Sequence, residues 1–302
     1  MTRREFLKSS AGALAVATLD SVTLPAAEAA GKKRDLKKAY MLGTFPGKDL
    51  PLLEKFKILK AAGFEGVEPP SHLDQDEVLR ARDETGLAIP SVSCGKHSRA
   101  LSHASAEQRA AGVEGVKQAL RDAKRYGASS ILVVPGDVSA ETSYADAYHR
   151  VQTELRKAVP LAEELGVKLA LENVWNHFLL SPMEAARFVD EFNSPAVGWH
   201  FDVGNVIFMG WPEQWIRILG KRIQKLHIKE YSRKKMGEHG LRAGFAVEYL
   251  EGDNDWPAVM QALDDIGYHG WGIAEPAWRP EGVEPATRLR QIADKMDKIF
   301  AM

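Results

Sequence analysis

A strand–helix unit repeats along the chain, and this repeat constrains the fold more than any other feature of the sequence. From residue 39 onward, amphipathic helical segments end at a glycine, and a short β-rich run follows each of them. Glycine suits the left-handed conformation that closes many helices. The junctions contain Gly63, Gly86, Gly127, Gly166, Gly220 and Gly267, and Asn193-Ser194-Pro195 takes the same place once without glycine. These junctions separate a series of short predicted strands.

Eight strands are predicted in this way. They cover residues 40–44, 64–68, 87–93, 130–134, 167–172, 197–202, 223–228 and 271–275. Apolar residues in the intervening segments recur at three- and four-residue steps, as Val113, Val116 and Leu120 do, which indicates helices. Eight strands that alternate with helices predict an α/β fold of the (β/α)8 TIM-barrel type. A doubly wound open sheet is the alternative, but no glycine-rich phosphate turn follows the first strand.

Composition and charge exclude several classes of protein. The 302 residues are 45% hydrophobic and 27% charged, which is typical of a globular protein. Because 40 Lys and Arg face 41 Asp and Glu, there is no basic surplus, and we expect no nucleic-acid partner. Cys94 is the single cysteine, so neither an intramolecular disulfide nor a cysteine-based zinc site is expected. No apolar run reaches about 18 residues, and we therefore expect no stable membrane anchoring.

The first thirty residues have the pattern of an export signal. Arg3 and Arg4 precede Phe6-Leu7-Lys8, which resembles a twin-arginine signal; a mildly apolar stretch covers residues 11–19, and small residues cover 25–30. A basic amphipathic N-terminus is the alternative interpretation. The sequence therefore predicts a signal peptide at residues 1–30, one barrel domain at residues 31–302, and a periplasmic or otherwise exported protein.

Two predicted loops are longer than a barrel needs. They cover residues 94–106 and 229–255. Both follow the C-terminal ends of strands, where the active sites of TIM barrels lie, and long loops in compact domains are usually functional or mobile. The sequence therefore places the candidate active site at this mouth of the barrel.

Four ionisable residues lie at the C-terminal ends of the last four predicted strands. Glu172, Asp202, His227 and Glu275 each follow an apolar run. A strand-end acid is often only a cap or a salt-bridge partner, but four at one level can converge on a single divalent cation. Three carboxylates and one imidazole suit manganese best, with magnesium, cobalt or zinc as alternatives. The sequence thus predicts one divalent metal ion.

The motifs around these residues resemble those of a known family. They are LALEN, HFDVGN, KLHIKEY and EGDNDWPAVMQALDDIGYHGW with a following AEP. Over about residues 38–300 the chain resembles the xylose-isomerase-like barrel superfamily, in its sugar isomerase and epimerase branch. The resemblance implies that Glu172, Asp202, His227 and Glu275 bind the metal and that the two glutamates act as acid and base. It also implies that Arg233 contacts the substrate.

One position departs from the family pattern. Many relatives carry a histidine three residues after the metal-binding aspartate, where this chain has Asn205. An amide cannot carry a proton as an imidazole does, so a second metal or a proton-transfer role at this position is in doubt. This departure, the balanced charge and the export signal all disfavour an abasic-site endonuclease, which shares the barrel fold.

Five further residues are candidates for binding the substrate. Lys229 could donate to a substrate oxygen, His97 could reach the mouth from its loop, and Glu68 could hold a hydroxyl at the end of the second strand. Trp175 and Asn176 would suit the C–H face and the hydroxyls of a sugar. Each also has a structural alternative, such as a salt bridge, a solvent-exposed loop position or packing beneath the loop.

The predicted function is that of a metal-dependent sugar isomerase or epimerase, acting by proton abstraction next to a carbonyl through an enediolate. The main alternative is a lyase that cleaves a 3-keto-glycoside by β-elimination, which export favours because sugar phosphates are scarce outside the cytoplasm. A non-catalytic sugar-binding protein is a further alternative. The expected partner is a small sugar or glycoside, and a homo-oligomer is left open.

Overall fold

Eight parallel strands form one sheet in this chain. The structure is a computed structural model that describes residues 34–47 and 49–302, so the predicted signal peptide at residues 1–30 lies outside the described residues. The strands are β1 (Leu36–Met41), β2 (Gly66–Glu68), β3 (Ser91–Ser93), β4 (Ser130–Val133), β5 (Lys168–Glu172), β6 (Val197–Asp202), β7 (Ile223–Ile228) and β8 (Gly270–Ala274). They pair in the order β2-β1-β8-β7-β6-β5-β4-β3.

The two end strands of this sheet meet and bring the barrel nearly to closure. Isolated parallel bridges join Gly66 to Ala88 and Pro70 to Ser93. Each bridge is accompanied by a backbone hydrogen bond of 2.9 Å, in which the N–H of Val67 donates to Ala88 and that of Ser93 donates to Pro69. The predicted (β/α)8 TIM barrel is therefore confirmed.

Helices cover the outside of the barrel and connect successive strands. Within the described residues they are α1 (Leu52–Ala61), α2 (Gln75–Thr85), α3 (Gly95–Ser98), α4 (Ala106–Tyr126), α5 (Tyr144–Arg156), α6 (Val159–Leu165), α7 (Pro182–Asp190), α8 (Pro212–Leu219), α9 (Arg233–His239), α10 (Trp256–Asp265) and α11 (Pro285–Phe300). Three of the predicted glycine junctions, Gly86, Gly127 and Gly166, cap their helices in the left-handed region. The two long loops contain α3 and α9, so both are partly helical. None of the helices in the described part of the chain is long and apolar enough to span a membrane.

The first strand lies earlier than the sequence predicted. Residues 40–44 were expected to be extended, but β1 ends at Met41 and Leu42–Thr44 form a 3-10 turn. The lysines in this segment do not indicate a buried strand in the sequence. In the structure, however, Lys38 is buried in β1, and its ammonium lies 2.6 Å from the carboxylate of Asp297 on α11. That ion pair allows a charged residue inside a strand.

The third strand is shorter than predicted. Residues 87–93 were expected to form it, whereas the ladder covers only Ser91–Ser93, and Ala88 pairs through an isolated bridge. Pro90 interrupts the run, since proline has no N–H to donate to a neighbouring strand. The short ladder leaves β3 joined to β2 only by the bridges that close the barrel.

A polar layer fills part of the barrel interior. Glu68 on β2 contacts His227 on β7 across the barrel, so both side chains point toward the axis. His200 is fully buried beside His227, with ring centroids 4.2 Å apart. Lys225, two residues before His227, is also buried and donates to the hydroxyl of Ser129 at 2.8 Å. This interior is therefore not the purely apolar filling that many barrels have.

Close packing between β8 and α11 gives a test of the barrel wall. A Cβ atom on Gly272 would lie 2.6 Å from the ring of Phe300 and 3.1 Å from Ile228. We expect Gly272→Ala to lower the free energy of unfolding by about 1–3 kcal/mol, because overpacking forces neighbours to shift. Urea denaturation measures this loss. The control is Gly237→Ala in α9, where the added Cβ meets nothing within 4 Å and should be neutral or stabilising. Equal stability of the two variants would contradict the packing described here.

Candidate metal centre at the barrel mouth

The structure brings the four predicted metal ligands together at the C-terminal mouth. Glu172, Asp202 and His227 lie at or near the ends of β5, β6 and β7, and Glu275 directly follows β8. Each of the four offers one oxygen or nitrogen atom, and these atoms all lie within 4.8 Å of one another. Strand register produces this convergence, because Asp202 pairs directly with His227, and the backbone N–H of Glu275 donates to Ile228 at 3.0 Å.

Two cationic groups hold the three carboxylates in place. Nδ1 of His227 lies 2.9 Å from Oε1 of Glu172 and 3.0 Å from Oε2 of Glu275. The ammonium of Lys229 lies 2.9 Å from Oδ2 of Asp202 and 2.8 Å from Oε2 of Glu275. Because Asp202 and His227 are fully buried and Glu172 nearly so, these charges face one another with little screening by water.

Asn173, the last residue of the LALEN motif, fixes the position of Asp202. Its side-chain amide donates to the backbone carbonyl of Asp202 at 2.7 Å and accepts from the backbone N–H of Asp202 at 2.9 Å. The same Asn173 oxygen also accepts from the indole of Trp199 at 3.1 Å. Asn173 is not among the predicted site residues, and its only signal in the sequence is its position directly after a predicted ligand.

Asn205 belongs to the same network. Its backbone N–H donates to Oδ1 of Asp202 at 2.8 Å, and its side-chain amide donates to the carbonyl of Asn173 at 3.0 Å. Its side-chain oxygen accepts from the ammonium of Lys229 at 3.3 Å. Asn205 therefore orients one ligand residue and the neighbouring lysine.

Glycine is required beside Asn205 because the loop approaches the end of β7 closely. A Cβ atom on Gly204 would lie 2.8 Å from both the carbonyl oxygen and Cγ of Lys229. The Gly-Asn pair of the HFDVGN motif thus allows the loop after β6 to pack against the backbone that carries the lysine.

Glu68 lies behind His227 rather than in the mouth. The sequence-based hypothesis assigned it to a substrate hydroxyl, but the structure buries Glu68 completely, with Oε1 only 3.0 Å from Nε2 of His227. Its second oxygen lies 4.0 Å from Nδ1 of His200. A carboxylate behind a metal-binding histidine fixes the orientation of the imidazole ring. Sequence reasoning missed this contact because it joins β2 to β7.

The environment shifts the pKa values of the two glutamates in opposite directions. Burial raises the pKa of Glu172, and its hydrogen bond to His227 only partly offsets this. Burial acts on Glu275 in the same sense, but Lys229 and His227 together hold the pKa of Glu275 well below its usual range. Two carboxyl groups with divergent pKa values are the pattern expected of an acid and a base.

The other groups of the cluster are shifted by the same forces. Burial raises the pKa of Asp202 to about 7, although Lys229 opposes the shift. Burial alone would lower the pKa of His227, but Glu275 and Glu68 raise it well above its ordinary value. Burial would likewise lower the pKa of Lys229, and Asp202 and Glu275 raise it instead. The carboxylates therefore strongly stabilise positively charged groups in their immediate neighbourhood.

The donor set fits one divalent cation. Three carboxylates and one imidazole are ligands that manganese, magnesium, cobalt and zinc accept, and here their donor atoms already lie within reach of a common point. In this structure the ammonium of Lys229 supplies part of the positive charge that the carboxylates need.

A cavity of about 390 Å³ opens above this cluster. Glu172, Glu275 and Lys229 line it together with Trp175 and several residues of the long loops, which are Lys96, Arg99, Arg242 and Phe245. The side chain of Trp175 is held in place in the cavity wall, because its indole donates to the carbonyl of Asn205 at 2.9 Å and its ring packs on Phe245. The basic residues Lys96, Arg99 and Arg242 are not among the predicted site residues. The length of the two loops is the only feature of the sequence that points to them.

Besides Glu68, three predicted substrate residues do not line this cavity. The guanidinium of Arg233 donates to the carbonyls of Ile207 and Gly210, each at 2.9 Å, and so supports the loop after β6. Asn176 is buried and donates to the carbonyl of Gly136 at 2.7 Å. The ring of His97 stacks on His72 at a centroid distance of 3.7 Å. In this structure these three side chains are engaged with the protein itself.

The family of the chain is now clear from comparison with known proteins. Residues 56–299 match the family described as the xylose isomerase-like TIM barrel. The chain belongs to this family. The match covers most of the barrel and includes all four residues of the metal centre.

Curated relatives match a smaller part of the chain. Inosose dehydratase of Clostridium perfringens is 27% identical over 143 residues, which are 43% of this chain and 48% of the relative. The chain therefore spans about half the length of this curated relative.

Two solved structures share the fold over nearly the whole barrel. The 3-keto-D-glucoside 4-epimerase of E. coli has a TM-score of 0.72 at 21% identity, covering 87% of this chain and 98% of that protein. The IOLI protein, whose structure contains a zinc atom, has a TM-score of 0.70 at 16% identity, covering 88% of this chain and 98% of that one. At these identities the likeness establishes the fold alone.

The contact between Glu68 and His227 predicts an effect on metal affinity. We expect Glu68→Gln to bind Mn²⁺ about 10- to 100-fold more weakly than the unaltered chain, because a neutral amide holds the imidazole less firmly than a carboxylate. Isothermal titration calorimetry with Mn²⁺ measures this change. The matched control is Glu154→Gln, which alters a buried glutamate of α5 that pairs with Arg109 and touches none of the four ligands. Unchanged Mn²⁺ affinity in a folded Glu68→Gln protein would contradict the positioning role.

Proposed function

We propose that this protein is a divalent-metal-dependent enzyme that isomerises or epimerises a sugar by moving a proton next to a carbonyl. The observation that carries the proposal is the convergence of Glu172, Asp202, His227 and Glu275 at the mouth of the barrel. Family membership supports a sugar-modifying activity, because relatives and fold neighbours include an inosose dehydratase and a 3-keto-D-glucoside 4-epimerase.

The four converging side chains would hold the metal ion. Manganese is our first expectation because the donors are mainly oxygen, although the zinc atom in the IOLI protein keeps zinc as an alternative. When bound, the ion supplies Lewis-acid stabilisation of negative charge on the substrate oxygens.

The proton transfer is assigned to Glu172 and Glu275. Their carboxylates approach the same atom, Nδ1 of His227, from different strands, so both border one small region of the mouth. One carboxylate takes the proton from the sugar carbon, and the other carboxyl group returns a proton to another atom or to the other face. Lys229 lies between Asp202 and Glu275 and adds positive charge next to the developing anion.

The walls of the mouth cavity suit a small sugar. Trp175 presents an aromatic surface, and Lys96, Arg99 and Arg242 offer donors around it. Aromatic surfaces pack on the C–H face of a sugar, while charged donors bind hydroxyl and carbonyl oxygens.

A lyase acting on a 3-keto-glycoside is the second candidate. It would use the same proton abstraction and then expel the group at the β-position. The relative named inosose dehydratase favours keeping this candidate, since a dehydratase eliminates water. Release of an aglycone would distinguish the lyase from an isomerase or epimerase.

Deuterium exchange tests the proposed chemistry. With Mn²⁺ in D₂O, we expect the protein to incorporate deuterium at carbon into a ketohexose or a 3-keto-D-glucoside, detected by mass spectrometry of the recovered sugar. Glu275→Gln should bind Mn²⁺ but exchange about 10²- to 10⁴-fold more slowly, which is the usual loss when a general acid or base is removed.

Asp202→Ala provides the contrast in the same assay. It should lose Mn²⁺ binding first and exchange as a consequence, because Asp202 is assigned only a ligand role. Full exchange by metal-loaded Glu275→Gln would show that this carboxylate does not transfer the proton.

We also propose that the protein is exported through the twin-arginine pathway. The pattern at residues 1–30 supports this, since Arg3 and Arg4 precede an apolar stretch and a small-residue segment. Changing both arginines to lysine should retain the protein in the cytoplasm, which cell fractionation measures. Arg80→Lys, an exposed change on α2, is the control that should leave export intact. Normal export of the double variant would refute the proposed route.

A further inference from the structure

An apolar groove lies beside the mouth cavity. It has a volume of about 660 Å³ and is bordered by the loops after β5, β6 and β7. Its lining includes three tryptophans, Trp175, Trp211 and Trp215, together with Phe208. The size falls within the range of pockets that enclose small organic ligands.

Exposed apolar side chains concentrate at this groove. Among the described residues, eight large apolar side chains are strongly exposed, and four of them line the groove: Leu180, Met209, Trp211 and Leu241. The other four, which are Leu50, Met183, Ile218 and Met302, lie on different parts of the chain. Single exposed apolar residues are ordinary, but a cluster in a concave site indicates binding of an apolar group.

The groove and the mouth cavity adjoin each other. Four residues line both of them: Val174, Trp175, Asn205 and Arg242. Trp175 is held by its hydrogen bond to Asn205 and by ring contacts with Phe208 and Phe245, at centroid distances of 4.9 and 4.6 Å. The indole of Trp175 thus forms part of the border between the two spaces, and a ligand that extends from the metal centre past this indole would reach the groove.

We propose that this groove binds the aromatic or apolar aglycone of a glycoside whose sugar ring lies at the metal centre. This inference rests on the proposed sugar-modifying function and narrows its substrate class. A free monosaccharide carries hydroxyls around its whole ring and would leave the Met209 and Trp211 surface exposed to water. An aglycone joined to that sugar would cover this surface, with Gln214 and Arg242 at the lining available to polar substituents.

A second copy of this chain is the competing occupant. A stable protein interface buries about 800 Å² on each partner, which a narrow groove does not provide alone. The exposed apolar residues outside the groove are single and lie on separate elements, so the described residues present no apolar projection that would fill it. The border that the groove shares with the mouth cavity therefore favours a ligand over a protein partner.

Binding of two unreactive glycosides tests the groove. Calorimetry with Mn²⁺-loaded protein would compare 4-nitrophenyl β-D-glucopyranoside with methyl β-D-glucopyranoside, which share a sugar and differ in the aglycone. We expect the aryl glycoside to bind roughly tenfold or more tightly, because its ring is removed from water. Met209→Ser and Trp211→Ala should each reduce that preference by about threefold or more.

Met183→Ser is the matched control. It removes a methionine of α7 that is 68% exposed, against 56% for Met209, and that lies outside the groove, so it should leave the preference unchanged. Equal affinity for the two glycosides, failure of both to bind, or an unchanged preference in Met209→Ser and Trp211→Ala would overturn the proposal. Loss of a concentration-dependent dimer in these variants, without an aryl preference, would assign the groove to a second copy. Aryl preference without deuterium exchange would instead retain the groove and refute the proposed chemistry.

Discussion

The structure of the mouth depends on the neutralisation of buried carboxylates by His227 and Lys229. Three carboxylates within a few ångströms of one another repel strongly in a poorly screened interior. His227 contacts two of them and also Glu68 on its other side, while Lys229 contacts Asp202 and Glu275. Removing either cation would leave uncompensated charge at the centre of the barrel. The same concentration of negative charge makes the site suitable for a metal ion.

The barrel supplies the geometry that this arrangement needs. Parallel strands end at one level, so residues at the ends of β5 to β8 face a common space. The ladder places Glu172 opposite His200 and Asp202 opposite His227, and an irregularity at Trp199 and His200 adjusts the register between β6 and β7. Outside the strands, amides complete the arrangement, since Asn173 and Asn205 fix Asp202 through its backbone and side chain. Positioning of the ligands is thus shared between strand register and short polar contacts.

Much of the fold was predictable because its signals are local. Glycine junctions, helical periodicity and acids at strand ends can each be recognised within a few residues. The remaining features depend on contacts between distant residues. Glu68 reaches His227 across 159 positions, and Lys38 can lie in β1 only because Asp297, 259 positions away, pairs with it. The family resemblance implies a substrate contact for Arg233, yet it is Arg242 that lines the mouth, because the loop after β7 folds into α9 and a 3-10 turn.

The bridges between β2 and β3 form a seam in the barrel wall. The other neighbouring strands share ladders of at least three residue pairs, whereas two isolated bridges join β2 to β3. Glu68 is the last residue of β2 and connects this seam to β7 through His227. The carboxylate–imidazole contact therefore also links the strand at this seam to β7, which lies three strands away in the sheet order. The strand that closes the barrel therefore also carries the carboxylate that orients His227, so the position of this imidazole depends in part on how the barrel closes.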